Sequence, residues 1–175
     1  GATEVEVLLE RDLGIKILVV DDSGASVARA PVALRMISDE YQFALFTRDT
    51  NEKGVLNFEN MRPYLMSTIG GNARLELTVG ALVDPKKLTD QQRVVLNDAA
   101  FEKGEAVLVL PPTGRVLVRT TLPDGELFDG EGTVHLRNSG SSAQSFGPPT
   151  GMSRPLVAGV AEFPHVVLGL DLVAE

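Results

Sequence analysis

The 175 residues contain no cysteine and no tryptophan, two tyrosines, seven phenylalanines and two histidines. Without cysteine there is no disulfide scaffold, no thiolate metal site and no Cys nucleophile. The compartment stays open, because many bacterial envelope proteins also lack cysteine. No apolar run approaches the roughly 18 residues that a spanning helix needs. The longest, Ala106 to Pro112, reads as a buried strand. The net charge is −8 and neither half is basic, so binding to a phosphate backbone has no electrostatic footing. The acidic excess serves solubility. Gly1-Ala2-Thr3 carries no initiating Met and no signal-peptide pattern, and it runs straight into a strand pattern. The expectation is a fragment of a longer chain.

What is present is a repetition. Gly14-Ile15-Lys16-Ile17-Leu18-Val19 leads into Asp22-Ser23-Gly24, and Gly114-Arg115-Val116-Leu117-Val118-Arg119 leads into Pro123-Asp124-Gly125. Gly54-Val55-Leu56-Asn57-Phe58 has a counterpart in Gly159-Val160-Ala161-Glu162-Phe163. Both series run strand, tight turn, strand, loop, Gly, strand ending in Phe. Two tandem copies of one all-β unit follow, and such duplicated units are usually modules of longer proteins.

Period-two alternation marks the strands. Val5, Val7 and Leu9 alternate with Glu4, Glu6 and Glu10, and Ile15, Ile17 and Val19 alternate likewise. Val32 to Met36, Tyr41 to Phe46, Val55 to Phe58, Tyr64 to Thr68 and Leu75 to Val79 complete the first unit. Strands arrive every 8–12 residues or so, as in an all-β sandwich. Residues 81–104 form a connecting segment. Thr89-Asp90-Gln91-Gln92 could box the start of a helix running to Phe101 and stopping at Gly104. Val94-Val95-Leu96 and the turn signal Asn97-Asp98 favour strand, loop, strand instead, so both readings stay open for residues 89–101. The domains are therefore 1–104 and 105–175, with Ala106 to Leu110 as the incoming strand of the second. In that unit the expected strands are Arg115 to Thr121, Thr133 to Arg137, Leu156 to Phe163 and Val166 to Val173. Asn138 to Gly151 reads as a long flexible loop. The second unit is expected to stop short, with no counterpart of Leu75 to Val79.

Each chemical candidate has an ordinary reading beside it. His135 and His165 stand 30 positions apart with no HxH, HxxxH or HExxH around them, and zinc needs a third ligand. Asp49-Thr50-Asn51-Glu52-Lys53-Gly54 begins like an EF-hand loop but has Lys53 at the fifth position and Asn60 at the twelfth, where oxygen donors belong. Asp21, Asp22 and Asp49 could form another kind of Ca²⁺ site. Gly140-Ser141-Ser142 has no nucleophile-elbow pattern around it. Tyr41, Phe43 and Phe46 form the one aromatic cluster available as a glycan platform, and core packing is the plainer reading. No catalytic, cofactor-binding or metal-binding residue is assigned, and an enzyme is not expected.

One family shares the order of strand, Asp-x-x-Gly turn, strand, then Thr47-x-Asp49, Gly54 and Phe58. Through Val19 to Val27, Val32 to Leu34, Gly54 to Phe58 and Pro63-Tyr64 in the first unit, the chain resembles the carboxypeptidase regulatory-like domain family. Val118, Asp124-Gly125, Val134 to Leu136, Gly159 to Phe163 and Leu170 carry the likeness in the second. Leu168-Gly169-Leu170 departs from the family's Gly-x-Tyr. The resemblance implies two tandem Greek-key, transthyretin-like or Ig-like β-sandwiches. Hydroxyisourate hydrolase shares that fold, but its C-terminal Tyr-Arg-Gly-Ser is missing here. The resemblance further implies a bacterial cell-envelope, periplasmic or extracellular location. The function expected is a non-catalytic structural spacer or protein-interaction unit of a larger protein, or, alternatively, a carbohydrate- or peptide-binding module. The partner would be a protein or a glycan, with no nucleic acid, no membrane span and no cofactor.

Overall fold

The computed structural model describes residues 13–39, 42–66, 73–80, 82, 88–139 and 151–175. The strand expected at Val5 to Leu9, the side chain of Tyr41, Ser141 and Ser142 lie outside them, as does most of the expected loop after Asn138. The chain is all-β with two short helices. β1 (Ile15–Val20) sits between β4 (Val55–Phe58), antiparallel, and β7 (Glu105–Val109), parallel. Opposite lies the sheet β3-β2-β5-β6, made of β3 (Gln42–Asp49), β2 (Pro31–Ile37), β5 (Arg74–Val79) and β6 (Arg93–Val95). Alternation on these strands turns Ile15, Ile17, Val19, Val32, Leu34, Phe58, Leu75 and Leu77 into one buried cluster.

A second cluster gathers Val134, Leu136, Met152, Ala161, Phe163 and Val166, with Val116 and Val118 half-buried against it. It lies between the pair β11-β8, formed by β11 (Val160–Val167) and β8 (Thr113–Arg119), and the sheet β10-β9-β12. The latter holds β10 (Gly151–Pro155), β9 (Thr133–Asn138) and β12 (Leu172–Ala174).

The turns of the two sandwiches match bond for bond. Val19 N–H donates to Gly54 O at 2.9 Å, and Thr120 N–H to Gly159 O at 2.9 Å. Val27 N–H returns to Val19 O, and Phe128 N–H to Thr120 O. Gly54 and Gly159 have φ of 73° and 74°, a left-handed conformation that glycine reaches without Cβ strain. Phe58 faces Ile15 and Phe163 faces Val116. Gly14 thus aligns with Arg115, one position away from the Gly14/Gly114 match suggested by the sequence.

Five expectations need correction. Residues 105–109 were expected to open the second unit, but β7 bonds to β1 and closes the first sheet. The segment at Tyr64 is not a strand but α1 (Arg62–Met66). Pro63 in its first turn has no N–H to lose there, and Met61, Tyr64 and Leu65 share one helical face against the core. In the connecting segment each reading is half right. β6 is a strand, and α2 (Asp98–Lys103) is a helix capped by Asn97, whose Oδ1 accepts from Ala100 N–H at 3.0 Å, and ended by Gly104 at φ 70°. The turn signal Asn97-Asp98 was a helix cap. Gly151, the last residue of the expected loop, opens a strand that was not expected, since Met152, its one large apolar residue, is buried and β10 pairs with β9 along five positions. Finally, Leu75 to Val79 does have a counterpart. β12 pairs with β9 as β5 pairs with β2, because the connection after Phe163 is far shorter than the one after Phe58.

Candidate functional site

The sequence candidates are scattered. His135 lies in β9, exposed, with Nδ1 2.8 Å from Ser153 Oγ. His165 lies in β11, in another sheet, so the two do not converge. Among the described residues no three His, Cys, Asp or Glu side chains group as metal ligands. Asp21 instead accepts bonds from Ser23 N–H at 2.9 Å, Ser23 Oγ–H at 2.6 Å and Ala25 N–H at 3.0 Å. The Ser23 hydroxyl, followed by the Ala25 amide, holds the Asp21 carboxyl below its ordinary value. The EF-hand-like loop is a turn of the same kind, since Asn51 Oδ1 accepts from Lys53 N–H at 2.9 Å and Val55 N–H at 3.0 Å. Of the aromatic cluster, Phe46 stacks on Phe58 with ring centroids 5.8 Å apart and meets Tyr64 edge-on at 5.7 Å. Arg48 stands 5.1 Å over the Phe46 ring.

What the structure brings together is the junction between the two sandwiches. Asp49 ends β3, and its Oδ2 accepts from Arg154 Nη2 of β10 at 2.5 Å, with side chains 33% and 26% exposed. His165 sits on a bulge of β11 where the register with β8 shifts, and has φ 58°. Its Nε2 is 2.9 Å from Ala28 O; a carbonyl only accepts, so Nε2 carries the proton. Leu82, which follows the first sandwich's β5, is buried in the second cluster. Leu110 is buried in the first cluster, and its N–H donates to Val20 O at 2.8 Å, so only Pro111 and Pro112 separate that anchor from β8. No spacing rule links residues this far apart; the one local signal was Pro164 inside a strand pattern, which marks bulges.

A second set was also missed. Arg35 and Glu76 are register partners on β2 and β5 and, with Thr78, are buried on the face of that sheet turned away from the first cluster. Arg35 Nε donates to Thr78 Oγ1 at 3.1 Å, and Arg74 Nε to Glu76 Oε1 at 2.7 Å. Glu76 Oε2 has no hydrogen-bond partner among the described residues. Alternation alone would send these side chains to solvent.

No protein-family model matches the chain, and no curated protein matches it. Among solved structures it is similar to the shaft pilin SpaA of Lactobacillus rhamnosus GG, at 11% identity over 93% of this chain and 86% of the pilin, with a TM-score of 0.33. It is also similar to the Bacillus anthracis TIE protein, at 12% identity over 95% of this chain and 31% of that one, with a TM-score of 0.29. Neither likeness bears on what this chain binds. No described helix is long and apolar enough to cross a membrane.

Proposed function

We propose that the chain is two tandem copies of one β-sandwich unit, the first ending with β7 and the second beginning with β8. They serve as a non-catalytic structural spacer in a larger cell-envelope or secreted protein. The observation that carries this reading is the junction. A flexible tether would leave the two units free, whereas here a charged pair, a His-to-carbonyl bond, Leu82 and a two-proline connection tie one sandwich to the other. Proline stiffens the short link. The matching turn bonds support the duplication. Its relation to carboxypeptidase regulatory-like domains rests on the sequence pattern, and its location on the same resemblance. The stacking of Phe46 on Phe58 supports a core role for it. Small-angle scattering tests the spacer role. A profile fitted by one arrangement of the two units supports it, and a profile needing a broad ensemble of arrangements overturns it.

A further inference from the structure

The sheet β4-β1-β7 is apolar on both faces. Ile15, Ile17 and Val19 of β1 face the first core, together with Phe58 and Leu108. The alternate residues take the outer face, where the register sets them in rows. Val55, Leu18 and Val107 stand side by side across all three strands, and Val20 stands beside Val109. None of these belongs to either buried cluster. Val107 is 57% exposed, and Leu18, Val55 and Val109 are half-buried. The outer face of such a sheet is ordinarily polar. The second sandwich follows that rule: Thr120 matches Val19, so the place of Leu18 falls to Arg119, exposed beside Val160. Leu18-Val19-Val20 and Val107-Leu108-Val109 have the composition of strands buried on both faces, yet Val107 is open. Exposed apolar surface gathered in this way marks an interaction site.

The charges beside this patch select the occupant. In the next row Asn57, Lys16 and Glu105 stand side by side, all exposed. Among the described residues neither Lys16 nor Glu105 has an ion pair. We propose that this face is the contact of a two-fold dimer, the sheet of one copy laid on the same sheet of a second copy. A two-fold axis running along the strands, between β1 and β7, sets β1 of each copy over β7 of the other. Lys16 of each copy then faces Glu105 of the other, Leu18 faces Val107, and Val20 faces Val109. Stacked sheets lie about 10 Å apart with strands within about 30° of each other, a gap that Lys and Glu side chains can span. An axis across the strands would lay β1 on β1 and β7 on β7, where Lys16 finds no acid. A surface of anionic lipid is a poorer occupant, because the chain carries −8. Three short strands give a contact at the low end of specific interfaces, so the dimer is weak. The inference goes beyond the spacer reading and does not depend on it, since the dimer forms whether or not the junction is rigid.

Sedimentation equilibrium tests the dimer. The mass of the unaltered chain should rise with concentration from 18.7 kDa towards twice that value and no further. Val107→Glu puts a charge into the apolar row at an exposed position and should lower the association constant about tenfold or more. Lys16→Glu alone and Glu105→Lys alone each set like charges against one another, and each should stay monomeric. Mixed one to one, those two variants should associate again, because each supplies the charge that the other lacks. A mass fixed at 18.7 kDa overturns the proposal, as do growth beyond a dimer, a dimer indifferent to Val107→Glu, and a mixture no better than its components. So does a chain that stays monomeric and binds phosphatidylcholine vesicles until Val107→Glu is introduced, which would give the face to lipid. If a variant melts early, isotope-filtered NMR of the unaltered chain, half of it labelled, decides. Leu18 methyls of one copy should lie near Val107 methyls of the other, and contacts between copies that leave out this face contradict the dimer.

Discussion

Asp49 and Arg154 stand 105 positions apart in the chain and meet at 2.5 Å, across the boundary between the two sandwiches. Both side chains are about one-third exposed or less, so the pair is screened but not fully solvated. A double-mutant cycle with Asp49→Ala and Arg154→Ala should give a coupling of about 0.5–1 kcal/mol by chemical denaturation. A coupling of zero would remove this pair from the junction.

Phe58 and Phe163 are 1% and 0% exposed and occupy matching places in the two cores. Replacing either with Ala leaves a cavity and should cost about 3–5 kcal/mol in its own sandwich. Urea unfolding followed separately in each half measures this. Losses below about 1 kcal/mol at both positions would show that neither anchors a core.

The glycines separate two kinds of cost. A Cβ at Gly54 would lie 2.9 Å from Val27 N and 3.0 Å from Val19 O, and one at Gly159 would lie 2.7 Å from Phe128 O. At Gly24 and Gly125, φ is equally positive but nothing stands within 4 Å. Gly24→Ala and Gly125→Ala should therefore cost only the left-handed strain, about 1–2 kcal/mol. Gly54→Ala and Gly159→Ala should cost clearly more, because backbone must also move. Equal melting temperatures across the four variants would contradict this.

Much of the fold was legible because local chemistry agrees with it. The alternation of Ile15, Ile17 and Val19, the Asp21 turn and the terminal Phe of each unit all point the same way. What misled was context. Tyr64 looked like strand until Met61 and Leu65 gave it a helical face, and Met152 carried too little apolar signal to announce β10. The burial of Arg35 and Glu76 was invisible, because alternation tells which face a residue takes but not what covers that face. The junction was the least legible part, since Asp49 and Arg154 belong to no local pattern.

Titration probes the first turn. Asp21 is held below its ordinary value by the Ser23 hydroxyl and the Ala25 amide. A depressed carboxylate contributes stability that is complete above its ordinary range and is lost as pH falls through the lowered folded value. Carboxyl NMR should find Asp21 titrating below the ordinary 3.8, with Ser23→Ala bringing it back up. An Asp21 that titrates at the ordinary value in the intact chain would show that the turn bonds do not hold in solution.

The central claim is that the junction fixes one sandwich against the other. Ser23 and Asp124 lie at equivalent exposed turns of the two units, and both can be replaced by spin-labelled cysteines in a chain that has none of its own. Double electron–electron resonance should give one narrow distance distribution, broadened when Arg154→Ala and His165→Ala are introduced together. A broad distribution in the unaltered chain, unchanged by those substitutions, would contradict the account.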